Sequence, residues 1–261
     1  MHSRCIPAIP LVVATLLPAA DFWAVREPSQ WSQQEIKRMV TDSPWAKDAH
    51  VTLKGDSGAM VDLVKQNQRG SIDGDQSLPG GGSGGLNGGL AVSGAPEVPR
   101  LVVRWDSAIP VTEACANGGL EKDLFSCTSK LFYLSGLSRK FEDLSKEFYI
   151  VSVSNYPKML APRLAEEAPQ HSPAANAALE QMGQRIQERT VIKRKGKSAI
   201  QPAHVVVLPA GRALLVMILF PRSDTMTVDD REVRFELMDE AIEVEARFNL
   251  KKMVYRGQLQ L

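Results

Sequence analysis

Residues 204–220, HVVVLPAGRALLVMILF, are the clearest guide to the fold. They contain two apolar runs, His204–Leu208 and Ala213–Phe220, separated by a Pro-Ala-Gly-Arg sequence. Proline and glycine are favoured in tight turns, so two strands joined by a turn are predicted. Further along, residues 233–237 and 242–248 alternate apolar and polar side chains. This alternation predicts a half-buried antiparallel hairpin.

Strands and helices are also predicted on either side of this region. Further strands are expected at 50–53, 100–105, 149–153 and 255–261. Helices are expected from Ser32 to Ser43, from Ile109 to Asn117, from about Ser138 to Phe148, and onward from Pro173. The first helix has the clearest start, because Ser32 and Glu35 match a capping box. Strands interleaved with helices, then a run of strands, predict an α+β fold. We expect a mixed sheet with helices on one side and a C-terminal half of mostly antiparallel strands.

The composition excludes several classes of protein. The chain has 261 residues, with 31 Lys+Arg against 30 Asp+Glu. This balance argues against a dedicated nucleic-acid-binding protein, which carries a strong positive field. The 44% hydrophobic content fits a globular chain with a buried core. Three cysteines are too few for a disulfide scaffold.

Residues 1–20 have the layout of a secretory signal peptide. A weakly positive start at Arg4 precedes the uncharged apolar run Ile6–Leu17, and small residues precede Asp21. The run is shorter than the ~20 residues of a membrane-spanning helix. We therefore expect an exported protein, periplasmic or extracellular, without a transmembrane segment after signal removal. The alternative is a buried N-terminal core segment.

Composition also divides the rest of the chain. Ten of the nineteen glycines fall between Gly70 and Gly94, and such Gly/Ser-rich stretches form flexible linkers. The predicted organisation is an N-terminal helical segment at 21–54, a linker at 55–98 and an α+β domain at 99–261. Trp31 and Trp45 favour packing of the N-terminal segment on the domain, because large aromatic side chains are usually buried. The sequence leaves that packing open.

Short motifs that suggest catalysis or cofactor binding have simpler explanations. Gly55-Asp56-Ser57-Gly58 matches the surroundings of a trypsin-like serine, but only two histidines precede it. Gly80, Gly82 and Gly85 match a dinucleotide-binding motif without the strand and helix that it requires. The histidines at 50, 171 and 204 lack metal-ligand spacing. We expect no catalytic, cofactor-binding or metal site from these motifs.

Two clusters of charge remain as candidate sites. The basic cluster contains Lys193, Arg194, Lys195 and Lys197. It is interpreted as a solvated turn, or as a site for an anionic surface polymer or headgroup. The acidic cluster contains Asp224, Asp229 and Asp230. It is interpreted as turn residues, with calcium binding as the alternative, although the EF-hand spacing is absent.

Cys115 and Cys127 are predicted to form a disulfide. They are the two cysteines left after removal of the signal peptide, and exported proteins occupy oxidising compartments. Asn117-Gly118-Gly119 breaks the helix between them, which allows the chain to turn back. Two buried thiols that pack in the core are the alternative.

Several segments resemble a group of uncharacterised exported bacterial proteins. The matching residues are Trp31, Ser43–Lys47, Val103–Pro110, Phe220–Arg222 and Phe248–Gly257. The resemblance implies export and carries over no activity and no catalytic residue.

Together these features predict a non-enzymatic binding or assembly domain at the bacterial cell envelope. The expected partner is an envelope protein or an anionic surface polymer, and not a nucleic acid. The alternative is an exported hydrolase whose catalytic residues converge only in the fold.

Overall fold

The computed structural model describes residues 21–54, 100–118, 139–158, 173–211 and 213–261. The helices are α1 (Phe22–Val25), α2 (Gln33–Thr41), α3 (Ile109–Asn117), α4 (Phe141–Glu147) and α5 (Pro173–Glu188). The first strands are β1 (Ala46–Asp48), β2 (His50–Leu53), β3 (Val102–Trp105), β4 (Phe148–Pro157) and β5 (Thr190–Arg194). The others are β6 (His204–Ala210), β7 (Ala213–Pro221), β8 (Glu232–Met238), β9 (Ile242–Asn249), β10 (Val254–Tyr255) and β11 (Gln258–Leu259). Several predicted features lie outside the described residues: the signal peptide, the linker, the Gly55–Gly58 motif, the glycine motif, Cys127 and His171.

The strands form two antiparallel sheets and a small hairpin. The five-stranded sheet has the order β1-β3-β4-β7-β6, the four-stranded sheet has the order β2-β9-β8-β5, and β10 pairs with β11. The α+β class and the antiparallel C-terminal half are confirmed, including the predicted β6–β7 and β8–β9 pairs. The expected mixed sheet is wrong, because the described strand pairs are all antiparallel, β3 with β4 among them. Direction depends on how the chain re-enters the sheet, and the local pattern of a strand does not encode that.

The two sheets pack face to face around one core. Apolar residues of β3, β4 and β7 and those of β8 and β9 belong to the same buried cluster. The rings of Trp105 and Phe248 lie 5.7 Å apart, and those of Phe220 and Phe235 lie 6.5 Å apart, both edge to face. Side chains of facing sheets interdigitate in this way in sandwich folds.

Helices lie on both faces of the five-stranded sheet. Phe141 and Leu144 of α4 pack with Leu219 and neighbouring residues on the outer face. Met182 of α5 joins the core on the inner face. The predicted placement of helices on one side is therefore wrong. Gly183 of α5 permits close packing, since a Cβ there would lie 3.1 Å from the carbonyl oxygen of Val205.

Local signals predict most of the elements, with several exceptions. The single strand expected at 255–261 is instead the hairpin of β10 and β11, because the chain turns back at Gly257, whose φ is 78°. The elements α1 and β1 were not predicted. The capping box is confirmed: the Ser32 hydroxyl accepts from the Glu35 backbone N–H, and the Glu35 carboxylate accepts from that of Ser32. Phe148, which the helical spacing assigned to a helix, is the first residue of β4. The strand β5 was not predicted either, because a helix precedes it and basic residues follow.

The N-terminal segment belongs to the same folded unit. β1 pairs with β3 in one sheet and β2 pairs with β9 in the other, so residues 46–53 join the two sheets. Trp45 is fully buried, and its indole N–H donates to the carbonyl oxygen of Gln260 at 2.9 Å. The segment therefore supplies an edge strand to each sheet.

None of the helices in the described ranges combines the length and the apolar character that a membrane-spanning segment requires.

Candidate functional site

A charged cleft lies at one end of the four-stranded sheet. Its volume is about 630 Å³, within the range of small-molecule sites. It is lined by Lys54, Glu188, Arg189, Val191, Lys193, Glu236, Met238, Asp239 and Glu240. We call this site the charged cleft.

Three stretches of chain build the cleft. Residues 188–193 run from the end of α5 into β5, and residues 236–240 run from β8 into its turn toward β9. Lys54 follows β2 and donates its backbone N–H to the carbonyl oxygen of Ala241 at 2.8 Å. Side chains alternate along a strand, so Val191 and Lys193 share one face and point away from the core residue Ile192. The cleft is thus on the outer face of this sheet.

Glu236 is the most enclosed charge of the cleft, with 4% of its side chain exposed. Lys193 Nζ lies 2.6 Å from its carboxylate, and Arg234 Nε lies 2.8 Å from it. Two cations therefore stabilise one nearly buried anion. A carboxylate removed from water requires such partners.

The ion pairs continue across the outer face as a charge ladder of Lys193, Glu236, Arg234, Glu245 and Arg247. Glu236 and Glu245 are direct cross-strand partners, an arrangement that repels. Arg234 lies between them, 2.8 Å from Glu236 and 3.8 Å from Glu245. The hydrogen bond that Arg247 donates lowers the pKa of Glu245. The ladder thus offsets the repulsion with alternating charge.

Asp239 connects the cleft to the core. Its Oδ2 accepts a 2.8 Å hydrogen bond from the hydroxyl of Tyr156, and its Oδ1 accepts one from the backbone N–H of Glu240 at 2.8 Å. Tyr156 belongs to β4 and is fully buried. Burial, followed by the negative charge of Asp239, raises the pKa of Tyr156. Asp239 is therefore held by a donor from the opposite sheet.

A β-bulge places Tyr156. The β4–β7 register shifts between Val153 and Tyr156, and Asn155 has a φ of 61°. Bulges of this kind redirect side chains. Asn155 is further held by a 2.9 Å hydrogen bond from its side-chain amide to the carbonyl oxygen of Arg100.

Arg189 and Glu240 form the more open wall of the cleft. The guanidinium of Arg189 lies 3.5 Å from Glu240 and 4.0 Å from Asp239, and its side chain is 40% exposed. Exposed ion pairs of this kind are weak. Val191 and Met238 supply apolar surface beside these charges. The cleft can therefore contact a ligand that has charged groups and an apolar part.

The structure brings together the basic and acidic clusters, which were interpreted from the sequence as separate turns with binding as the alternative. Arg194, with 1% of its side chain exposed, pairs with Asp224, and Lys197 Nζ lies 2.6 Å from Asp230. Lys193 instead pairs with Glu236 in the charged cleft. Lys195 is exposed in the turn that follows β5.

These pairs use the same groups that the predicted sites would need. Burial acts to raise the pKa of Asp230, but hydrogen bonds from Lys197 and from the backbone of Thr227 lower it overall. An external anion would compete with Asp224 and Asp230 for the basic cluster. Within the described ranges, no group of three or more His, Cys, Asp or Glu residues is arranged to hold a metal ion.

The remaining candidates are dispersed. His50 is exposed on β2, and His204 is exposed at the start of β6, with its ring 6.0 Å from that of Phe148. Cys115 is buried on α3 and is not a free thiol. Because Cys127 lies outside the described residues, the Cys115–Cys127 disulfide stays a prediction.

A second polar cluster lies on the outer face of the five-stranded sheet. Arg104 is fully buried, and its Nε lies 2.5 Å from Asp106 Oδ1. Ser152 and Ser154 are equally buried on the neighbouring β4, and their hydroxyls have no hydrogen-bond partner among the described residues. Unsatisfied buried groups are rare in proteins. This cluster is closed to solvent, unlike the charged cleft.

Three residues of the site, Glu236, Asp239 and Tyr156, were not predicted from the sequence. The alternation of β8 indicates that Glu236 faces outward, so its position was available from the pattern. Tyr156 and Asp239 are separated by 83 residues, and no local pattern connects them.

Searches against protein-family models, curated proteins and solved structures give no match for this chain.

Proposed function

We propose that this chain is an exported domain that binds a partner or ligand at the bacterial cell envelope without catalysing a reaction. The observation that supports this proposal is the charged cleft, in which fixed charges of both signs surround apolar surface. Export rests on the signal-like residues 1–20 and on the resemblance to exported bacterial proteins.

The cleft charges are held in place before any ligand arrives. Glu236 is fixed by Lys193 and Arg234, and Asp239 is fixed by Tyr156 and a backbone N–H. Preorganised groups reduce the ordering cost of binding. A rigid set of charges on the end of a sheet therefore favours selective recognition.

The charge ladder extends this recognition surface. It places alternating charges next to the cleft on the outer face of the four-stranded sheet. Charge patterns of this kind select partners, because like charges brought together are costly. A partner larger than the cleft would contact the ladder as well.

Export is tested by expression of the full chain in a secreting bacterial host. The expected product is recovered outside the cytoplasm, with an intact mass that begins near Ala20 or Asp21. A cytoplasmic product that retains Met1 would contradict the proposal.

Binding is tested by cross-linking and pull-down from an envelope fraction. Wild-type protein is compared with Glu240→Gln in the cleft and with Lys195→Gln, an exposed turn position outside it. We expect the first substitution to reduce recovery of a specific partner and the second to leave it unchanged. Turnover of ester, peptide or glycoside substrates that the cleft substitution abolishes would instead favour the hydrolase alternative.

A further inference from the structure

The charges of the cleft identify the chemical class of its ligand, and this inference rests on the binding role proposed above. We infer that the charged cleft binds a short peptide of a few residues through its free ammonium and carboxylate groups. The lining contains four carboxylates and three cations, so both groups of such a ligand find opposite charge.

The ammonium group is placed by the carboxylates whose ion pairs are the longest in the cleft, since Arg189 lies 4.0 Å from Asp239 and 3.5 Å from Glu240. Glu236 is already paired with Lys193 and Arg234. Asp239 and Glu240 are adjacent, and the Glu240 side chain is 75% exposed. A carboxylate accepts more than one hydrogen bond per oxygen, so Asp239 retains capacity despite its bonds to Tyr156 and the backbone. An ammonium group has three donors and can replace Arg189 as the partner of these carboxylates, which leaves the guanidinium for the other end of the ligand.

The carboxylate group is placed by Arg189. Its guanidinium lies 3.5 Å and 4.0 Å from its two acidic neighbours, which is longer than a charge-assisted hydrogen bond. The planar guanidinium presents a pair of donors that matches a carboxylate. Lys54 supplies a second cation in the same lining.

The apolar surface and the volume favour a peptide over a single amino acid. Val191 and Met238 lie among the charged residues, and Met238 is 38% exposed. They offer contact to an apolar side chain between the two charged ends. A cleft of about 630 Å³ exceeds the volume of one amino acid.

Titration calorimetry with the purified full chain tests this inference. The probes are the tripeptide Ala-Leu-Ala, its N-acetyl form, its C-terminal amide and the doubly blocked form. We expect the free tripeptide to bind, and each single block to weaken binding by about tenfold, because each removes one hydrogen-bonded charge. Absence of binding by the free tripeptide, or equal binding of all four, would overturn the inference.

Two substitutions assign the ends of the peptide. Glu240→Gln is expected to abolish discrimination against the N-acetyl form, and Arg189→Gln to abolish discrimination against the amide. Lys195→Gln is the control and should preserve both. Circular dichroism confirms that each variant is folded. If both cleft variants discriminate as the wild type does, the inference is wrong.

A third measurement locates the ligand independently. With ¹³C-methyl-labelled methionine, the methyl resonance of Met238 should shift on addition of the tripeptide, while that of the fully buried Met39 should not. An unshifted Met238 resonance at saturation would contradict the cleft as the site.

Failure of this inference is distinct from failure of the proposed function. If Glu240→Gln abolishes recovery of an envelope partner but no tripeptide binds, the inference fails and the binding role stands. If the tripeptide binds but the protein stays in the cytoplasm, the envelope role fails and the peptide site stands.

Discussion

Both sheets are antiparallel, but their outer faces differ in burial. The outer face of the five-stranded sheet is covered by protein, and that of the four-stranded sheet contacts solvent. In the five-stranded sheet, β7 is buried along Ala213–Phe220, on both faces. In the four-stranded sheet, β9 alternates between buried and partly exposed residues. A sheet covered on both faces is read as a continuous apolar run, whereas a sheet with one face in water alternates. The difference shows which of the two outer faces is open to solvent.

The covered face also encloses polar groups. Arg104, Ser152 and Ser154 are fully buried on the outer face of the five-stranded sheet. On the four-stranded sheet, by contrast, the outward charges pair with one another and border the charged cleft. The binding role proposed for the charged cleft therefore belongs to the sheet whose outer face is open to solvent.

The largest expected effect comes from truncating an outward residue of the covered sheet. Leu219 is fully buried on the outer face of β7. Leu219→Ala should lower the free energy of unfolding by about 3 kcal/mol, because it creates a cavity. Urea denaturation measures this loss.

The matched control is an outward position of the other sheet. Thr52 is exposed on β2, opposite Glu243. Thr52→Ala should change stability by less than about 0.5 kcal/mol. Similar losses for the two variants would show that the outer faces do not differ in burial.

This contrast also explains what the sequence could predict. The alternation of apolar and polar residues in β8 and β9 could be recognised in the sequence because one face of these strands is buried and the other contacts solvent. The strand β5 was missed because Arg194 looks like a surface residue, although its side chain is buried against Asp224, 30 residues away. Two further features likewise depend on contacts between residues far apart in the sequence. One is the antiparallel direction of β3 and β4, and the other is the cleft, which is built by residues 54, 188–193 and 236–240. Local patterns predict elements, but such contacts arise only when the chain is folded.

The next effect concerns the bond that joins the two sheets at the cleft. Tyr156→Phe removes the hydroxyl that donates to Asp239 and leaves a buried oxygen without that donor. The expected loss of stability is about 1–3 kcal/mol. Urea denaturation of the variant measures it.

A double-mutant cycle with Asp239→Ala isolates this pair, because alanine has no acceptor for the Tyr156 hydroxyl. The coupling energy should reach at least about 0.5 kcal/mol, as for residues in direct contact. Additive effects of the two substitutions would contradict a bond that links the sheets.

A smaller effect is expected within the charge ladder. Arg234→Met removes the cation between Glu236 and Glu245, which are direct cross-strand partners. Repulsion between them should reduce stability by about 1 kcal/mol. Salt screens such repulsion, so the loss measured by urea denaturation should shrink at high ionic strength.

Adding Glu245→Gln to Arg234→Met removes the repulsion and should recover part of the loss. A loss that does not depend on salt, and that the second substitution leaves unchanged, would indicate that Arg234 acts by packing alone.

The smallest effect is the pH dependence of the Lys197–Asp230 pair beside the four-stranded sheet. The folded state lowers the pKa of Asp230 below its ordinary value of 3.8. A carboxylate of this kind stabilises the fold above that value, and the contribution disappears as the pH falls through the lower, folded pKa. Asp230→Asn should therefore reduce stability at neutral pH by less than about 1 kcal/mol, since Lys197 is partly exposed. The difference in the free energy of unfolding between this variant and the wild type should disappear as the pH falls below about 4. Asp229→Asn, at the exposed neighbouring position, is the control. Its free energy of unfolding should equal that of the wild type both at neutral pH and in acid. A difference for Asp230→Asn that persists in acid would mean that the carboxylate acts through its neutral hydrogen bonds and not through its charge.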